Sequence, residues 1–186
     1  MKNLKAILIP TVSLFVICFV TTFLLALTNA VTAERIEELQ IETARQTRQE
    51  VLSSASAFDE AELDGNTYYV GKDSSGAIVG YVFQTVRSGY GGPVTVMSAF
   101  DTTGTVTGIK VIDCSETAGL GLNAQQQWFA DRYKGTDGEL SVIKNGEASG
   151  NEILAITGAT ITTSAVTDAV NDARAMFEEI TGGEQQ

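Results

Sequence analysis

The sequence predicts an α+β fold: a largely antiparallel sheet packed by helices, preceded by one N-terminal transmembrane helix. Three observations carry this reading. An uncharged apolar run fills residues 6–26, four strand-like segments separated by turn signals lie between residues 67 and 112, and one apolar helical face spans residues 166–180. Short turns between successive strands favour an antiparallel meander, because parallel neighbours need long crossovers.

The apolar run, AILIPTVSLFVICFVTTFLLA from Ala6 to Ala26, contains no charge and only scattered Ser and Thr. A helix crossing a bilayer core takes about 20 apolar residues. Pro10 lies in the first turns, where a missing N–H costs least. A cleavable signal peptide is the competing reading, with Val31-Thr32-Ala33 as its small-residue cleavage site. The run is longer than the roughly 7–15 apolar residues of such a signal, which favours a retained anchor over residues 1–31. Lys2 and Lys5 precede the run and Glu34 is the first charge after it. The positive-inside rule therefore keeps the N-terminus in the cytoplasm and carries residues 28–186 across the cell membrane.

Residues 32–57 contain no Gly or Pro and pair Glu42 with Arg45 at i, i+3, so they are expected to be a helical stalk. Their apolar stripe, Ile36, Leu39 and Val51, is too thin for a sustained coiled coil. An extracytoplasmic domain is expected over residues 58–186. Its strands are TYYVGK (67–72), AIVGYVFQTV (77–86), VTVMSAF (94–100) and VTGIKVID (105–112), divided by the turns DSSG and DTTG and the loop SGYGGP. A helix is expected from about Asn123 to Lys134, with Trp128 and Phe129 in the core, then short strands near Leu140–Ile143 and Ile153–Ile156. In the last helix Val166, Val170, Ala173, Phe177 and Ile180 recur at steps of three and four, with Asp168, Asp172 and Glu178 away from them and Gly182-Gly183 as the stop.

Composition excludes several chemistries. Without Lys2 and Lys5 the chain keeps ten basic residues against 23 acidic ones, so nucleic acid is a poor partner. It has no histidine, and of its two cysteines Cys18 lies in the apolar run while Cys114 is alone in the domain. No metal site is expected, because zinc and iron–sulfur centres need several Cys or His ligands. The lack of histidine also rules out a Ser-His-Asp or Cys-His mechanism. Any redox cofactor must then be organic. Cys114 itself is expected to be a small packed residue.

Between the last strand and the last helix, five of the eight residues from Thr157 to Ser164 carry a hydroxyl. The plainer reading makes Thr162, Thr163 or Ser164 the helix N-cap after a turn at Gly158. A helix N-terminus with a nearby Gly is also an anion site, with the Thr160 hydroxyl presented to it. A rival signal, Gly119-x-Gly121-x-x-Ala124 with Glu139 about 20 residues on, matches the dinucleotide fingerprint. Against it, the preceding strands are joined as hairpins and Glu116 would face a pyrophosphate.

TGAT (157–160) with the following ITTS resembles the flavinylation motif of the FMN-binding domain family, whose last Thr carries FMN as a phosphoester. SETAGLG (115–121) is similar to that family's ETPGLG loop, and residues 89–113 to its glycine-rich turn and hairpin. Ala118 stands where the family usually has Pro, Cys114 where His is common, and Leu154 where an acidic residue often opens the motif, with Glu152 close by. The resemblance implies a covalent FMN on Thr160, with Thr157, Gly158 and Ala159 completing the motif. It further implies Glu116, Thr117, Gly119, Leu120 and Gly121 as cofactor-binding residues, with Tyr90 beside the ring.

Covalent attachment suits an exported acidic domain, which would otherwise lose and repel a free flavin phosphate. Within the family, one anchor, a short stalk and one compact domain are similar to the G subunits of Rnf complexes. Those membrane complexes couple electron flow between ferredoxin and NAD to ion translocation. The related C subunits of sodium-translocating NADH:quinone reductase are generally longer and form the second choice. The implied role is electron transport, with the other membrane subunits and the FMN transferase that loads the flavin as partners. A stand-alone anchored flavoprotein and a non-redox interaction module are the alternatives from other classes.

Overall fold

The structure, a computed structural model, describes residues 2–183. Helix α1 runs from Lys2 to Val51. Within it Leu8–Ala33 has a mean hydropathy of 2.4, long and apolar enough to cross a membrane. The helix continues past the apolar stretch as expected, but ends at Val51 and does not reach residue 57. The chain divides into two compact units, Met1–Arg45 and Gln46–Gln186, and the fold below is that of the second.

Five strands form an antiparallel meander in chain order: β1 Ala57–Leu63, β2 Asn66–Lys72, β3 Ile78–Ser88, β4 Pro93–Asp101 and β5 Val106–Cys114. The sheet carries one strand more than the sequence pattern indicates. Strand β1, AFDEAEL, reads as acidic and carries no buried residue, as suits an edge strand guarded by charge. Asp64-Gly65 joins it to β2 with both residues at positive φ (47° and 80°), and this Asp-Gly pair is the signal that would have found it. Lys72 bridges back to Asp59 at 2.6 Å.

Both faces of the sheet are covered. One face carries Phe83, Val96, Phe100 and Val111 against helix α3, Thr160–Gly183. The other packs Val82, Met97 and Ala99 against Val51, Leu52 and Ala55. Gly80 and Gly71 make room for this contact, since a Cβ on Gly80 would lie 3.0 Å from a Leu52 methyl. In α3 the expected face is buried at Val166, Val170, Ala173 and Phe177, with Ile180 packed at its margin. Each Val or Phe side chain among them removed from water contributes about 1.5–3 kcal/mol. The helix includes Gly182 and ends at Gly183, the last of the described residues.

The middle helix expected over 123–134 is replaced by a 3-10 turn, Gly121–Gln125, and one α-turn, α2 Gln127–Ala130. Gln126 is extended between them (φ −78°, ψ 142°), which breaks the helical ladder. Phe129 and Tyr133 are buried as core, but Trp128 is 46% exposed, with the Arg132 guanidinium over its ring. The last two strands, β6 Ser141–Ile143 and β7 Glu152–Leu154, pair with each other in parallel. They bring the chain to the start of α3.

Candidate functional site

Three sequence-distant segments meet at one end of the sheet. Register places Val94 opposite Cys114, so the loop entering β4 and the loop leaving β5 are neighbours. The first, residues 89–92, closes on itself through Gly89 N–H to the Gly92 carbonyl at 2.8 Å. The second supplies Glu116, whose Oε1 accepts the N–H groups of Tyr90 at 2.7 Å and Gly91 at 3.3 Å. Glycines are needed there for space: a Cβ on Gly89 would collide with this carboxylate, and one on Gly91 with the Ser115 carbonyl. Gly121 is pinned the same way, its Cβ position lying 2.6 Å from both Glu116 Oε2 and Thr162 Oγ1.

The third segment is the start of α3. Thr157 and Gly158 form an exposed turn with Gly158 at φ +77°, and Thr160 is the first helical residue. Thr162, Thr163 and Ser164 are therefore not N-caps; they lie inside the helix, and the capping position falls on Ala159. Thr163 works differently. Its buried hydroxyl accepts the Ile156 N–H at 3.1 Å and donates to the Ala159 carbonyl at 3.0 Å, tying the incoming strand to the first helical turn. One turn on, Thr167 donates to the Thr163 carbonyl and meets the Tyr133 hydroxyl at 3.0 Å. Burial pushes the Tyr133 phenol upward, so it stays a neutral donor or acceptor.

Together the segments enclose a cavity of about 560 Å3, within the range of small-molecule sites. Tyr90, Glu116, Thr117, Leu120 and Gly121 form its loop side, and Gly158, Ala159 and Thr160 its helix side. Ile161 and Thr162 also line it; no sequence signal singles out Ile161, and the hydroxyl pattern assigns Thr162 to a cap. Thr157 and Gly119 do not line it. Gly119 sits at φ +78° in open space and shapes the 117–121 turn.

The cavity's chemistry is asymmetric. Tyr90, Leu120 and Ile161 present exposed apolar surface at 74%, 43% and 55% exposure, whereas the helix side offers the Thr160 hydroxyl. The N–H groups of Thr160, Ile161 and Thr162 begin the helix and have no intrahelical acceptor, so they favour an anion. Flanking residues are occupied elsewhere: the Leu154 carbonyl accepts from Arg132, and Glu152 from Ser149. Cys114 is buried as expected, and burial pushes its thiol up, away from a reactive thiolate. Among the described residues no three or more His, Cys, Asp or Glu side chains cluster to hold a metal ion.

Comparison with known proteins agrees with these segments. The FMN-binding domain family matches residues 89–175, and the RnfG N-terminal region matches residues 1–51. The chain is 40% identical to the G subunit of the Na(+)-translocating ferredoxin:NAD(+) oxidoreductase complex of Acetobacterium woodii, covering 90% of this chain and 89% of that one. It is 34% identical to the G subunit of the ion-translocating oxidoreductase complex of Methanosarcina acetivorans, covering 93% and 95%. In fold it is similar to the crystal structure of Shewanella oneidensis NqrC, with a TM-score of 0.52, 19% identity and coverage of 63% and 64%. At this identity to the two Rnf-type relatives, over nearly the full length of each chain, the protein belongs to the family of G subunits of Rnf-type ion-translocating oxidoreductase complexes and carries that family's FMN-binding domain.

Proposed function

We propose that this chain is the electron-carrying subunit of a membrane ion-translocating ferredoxin:NAD oxidoreductase of the Rnf type, and that it holds FMN as a phosphoester on Thr160. The observation that carries the reading is the single cavity joining the Thr160 hydroxyl, the free N–H groups of the α3 start and an apolar wall. The residues fit the group. Helix N–H groups suit its phosphate, the exposed faces of Tyr90, Leu120 and Ile161 suit a flat ring, and Gly121 leaves room a Cβ would fill. When bound, FMN supplies the redox chemistry that no side chain here provides.

The chain's own contribution is positional. Thr163 fixes the helix start that presents Thr160, and Glu116 holds the Tyr90 loop over the cavity. The anchor (1–31) and the domain, whose core takes in Val51, Leu52 and Ala55 from the end of the expected stalk (32–57), would then have separate tasks. The anchor would lie among the other membrane subunits with the N-terminus cytoplasmic, and the domain would carry its flavin outside. An FMN transferase would load Thr160 during maturation.

The test is a denaturing gel viewed under ultraviolet light, using protein from cells that possess the transferase. Wild type is expected to give a fluorescent band that Thr160→Ala lacks. A dark wild-type band sinks the covalent reading, and so does an equally bright mutant band.

A further inference from the structure

Thr160 and Ile161 also border a second, adjoining cavity of about 560 Å3. Its other walls are Val86, Arg87 and Ser88 at the end of β3, and Ser164, Ala165 and Asp168 on α3. Exposed apolar side chains concentrate at these two cavities. Among the described residues of Gln46–Gln186, the large exposed ones are Ile78, Val86, Tyr90, Leu120, Trp128 and Ile161, and four of the six line one cavity or both. In so acidic a domain, that concentration marks functional surface.

The second cavity has its own chemistry. Arg87 forms a bidentate ion pair with Asp172, and Asp168 lies one turn earlier on the same helix. Ser88 and Ser164 line the same space, beside the apolar Val86, Ile161 and Ala165. A flavin ring has an apolar dimethylbenzene edge and a pyrimidine edge with two carbonyl acceptors and one N–H donor. Arg87 and the two serines can donate to carbonyls, and the Asp168 carboxylate can accept an N–H.

We infer that this adjoining cavity is a second seat for the flavin ring tethered at Thr160, and that Ile161 partitions the two seats. The inference rests on the Thr160 attachment proposed above. A tether of single bonds rooted at one hydroxyl serves either cavity, since Thr160 lines both. Two seats give a carrier two faces, one for receiving electrons and one for delivering them. The Tyr90 side is mainly apolar with a flanking ring, whereas the Arg87 side is charged and hydroxyl-rich.

Flavin emission reads the two seats apart, because tyrosine and tryptophan quench it on contact. In flavin-loaded full-length protein, the wild-type fluorescence decay is expected to contain a short, Tyr90-quenched component and a longer one. Tyr90→Leu removes the short component. Val86→Trp places a quencher in the second cavity and shortens the long component several-fold, with Ser88→Trp as an independent repeat. Both sites are exposed, so the larger side chain has room. A single-component wild-type decay overturns the second seat, as does a long component that both tryptophan variants leave unchanged. The same samples run on a denaturing gel separate the two ideas: a bright band with an unmoved decay sinks only the second seat, and a dark band sinks the attachment beneath it.

Discussion

The Glu116 carboxylate accepts the backbone N–H of Tyr90 across 26 residues of sequence, at 2.7 Å, and takes the Gly91 N–H with the same oxygen. This one side chain joins the glycine-rich loop to the loop after β5. The family resemblance assigns Glu116 to the cofactor; its geometry makes it first a clamp that sets where Tyr90 stands.

Removing the clamp should loosen the loop without unfolding the domain. Hydrogen bonds to a charged group are worth about 1.5–3 kcal/mol, and the exposed position of Tyr90 puts this pair at the lower end. Glu116→Ala is expected to cost about 1.5 kcal/mol in urea denaturation and to speed amide exchange at Tyr90 and Gly91 about tenfold. Glu116→Gln, which keeps an acceptor oxygen, should recover most of the protection. Unchanged exchange in Glu116→Ala would show that the loop holds itself.

Two nearby glycines should respond differently to the same substitution. An alanine methyl at Gly121 would sit 2.6 Å from Glu116 Oε2 and Thr162 Oγ1 and 2.9 Å from Glu116 Cβ. Overpacking of this kind costs about 1–3 kcal/mol, and here it pushes the clamp away from the cavity. Gly119 has open space but a φ of +78°, so Gly119→Ala meets only the left-handed backbone penalty of about 1 kcal/mol. Chemical denaturation should rank Gly121→Ala as the more damaging change. Only Gly121→Ala should also reduce flavin loading, measured as fluorescence per protein on a denaturing gel.

These local contacts explain which features were legible in the chain and which were not. Strands β2 to β5 are rich in β-branched and aromatic residues and are divided by Asp- or Gly-rich turns, so their order and antiparallel pairing were legible from the short connections between them. Strand β1 was hidden because an edge strand carries charge where a central one carries Val or Ile. The middle helix failed because periodicity does not report a single extended residue, Gln126. At the site, hydroxyls near a helix start suggested a cap. Thr163 instead faces inward and satisfies a buried N–H from a residue seven positions earlier, a contact that only tertiary structure defines. Glu116 and Tyr90 stood out in the sequence as separate loops, but nothing in the chain's local pattern says that one holds the other.

The turns of the meander give a pH dependence with a definite sign. Asp101 Oδ1 accepts from Thr103 N–H at 2.8 Å, Thr103 Oγ1 at 2.6 Å and Thr105 N–H at 3.0 Å. Burial alone would raise the Asp101 carboxyl, but these donors outweigh it and hold the group below its ordinary 3.8. A depressed folded-state value means that the unfolded chain takes up the proton first as pH falls. The stabilisation is therefore complete above about pH 4 to 5 and is lost as pH drops through the folded value. Asp101→Asn keeps an acceptor but not the charge, so the wild type should be more stable at pH 7 by about 1 kcal/mol or less. For a chain of this size that corresponds to a melting difference of roughly 2–4 °C. Thermal melts of both proteins from pH 7 to pH 2.5 check it, since the other carboxylates titrate in both and cancel in the difference. The gap should stay constant to about pH 5 and close below pH 4. A gap that persists undiminished at pH 2.5 would mean that the Asp101 charge is not its source, leaving side-chain shape as the cause.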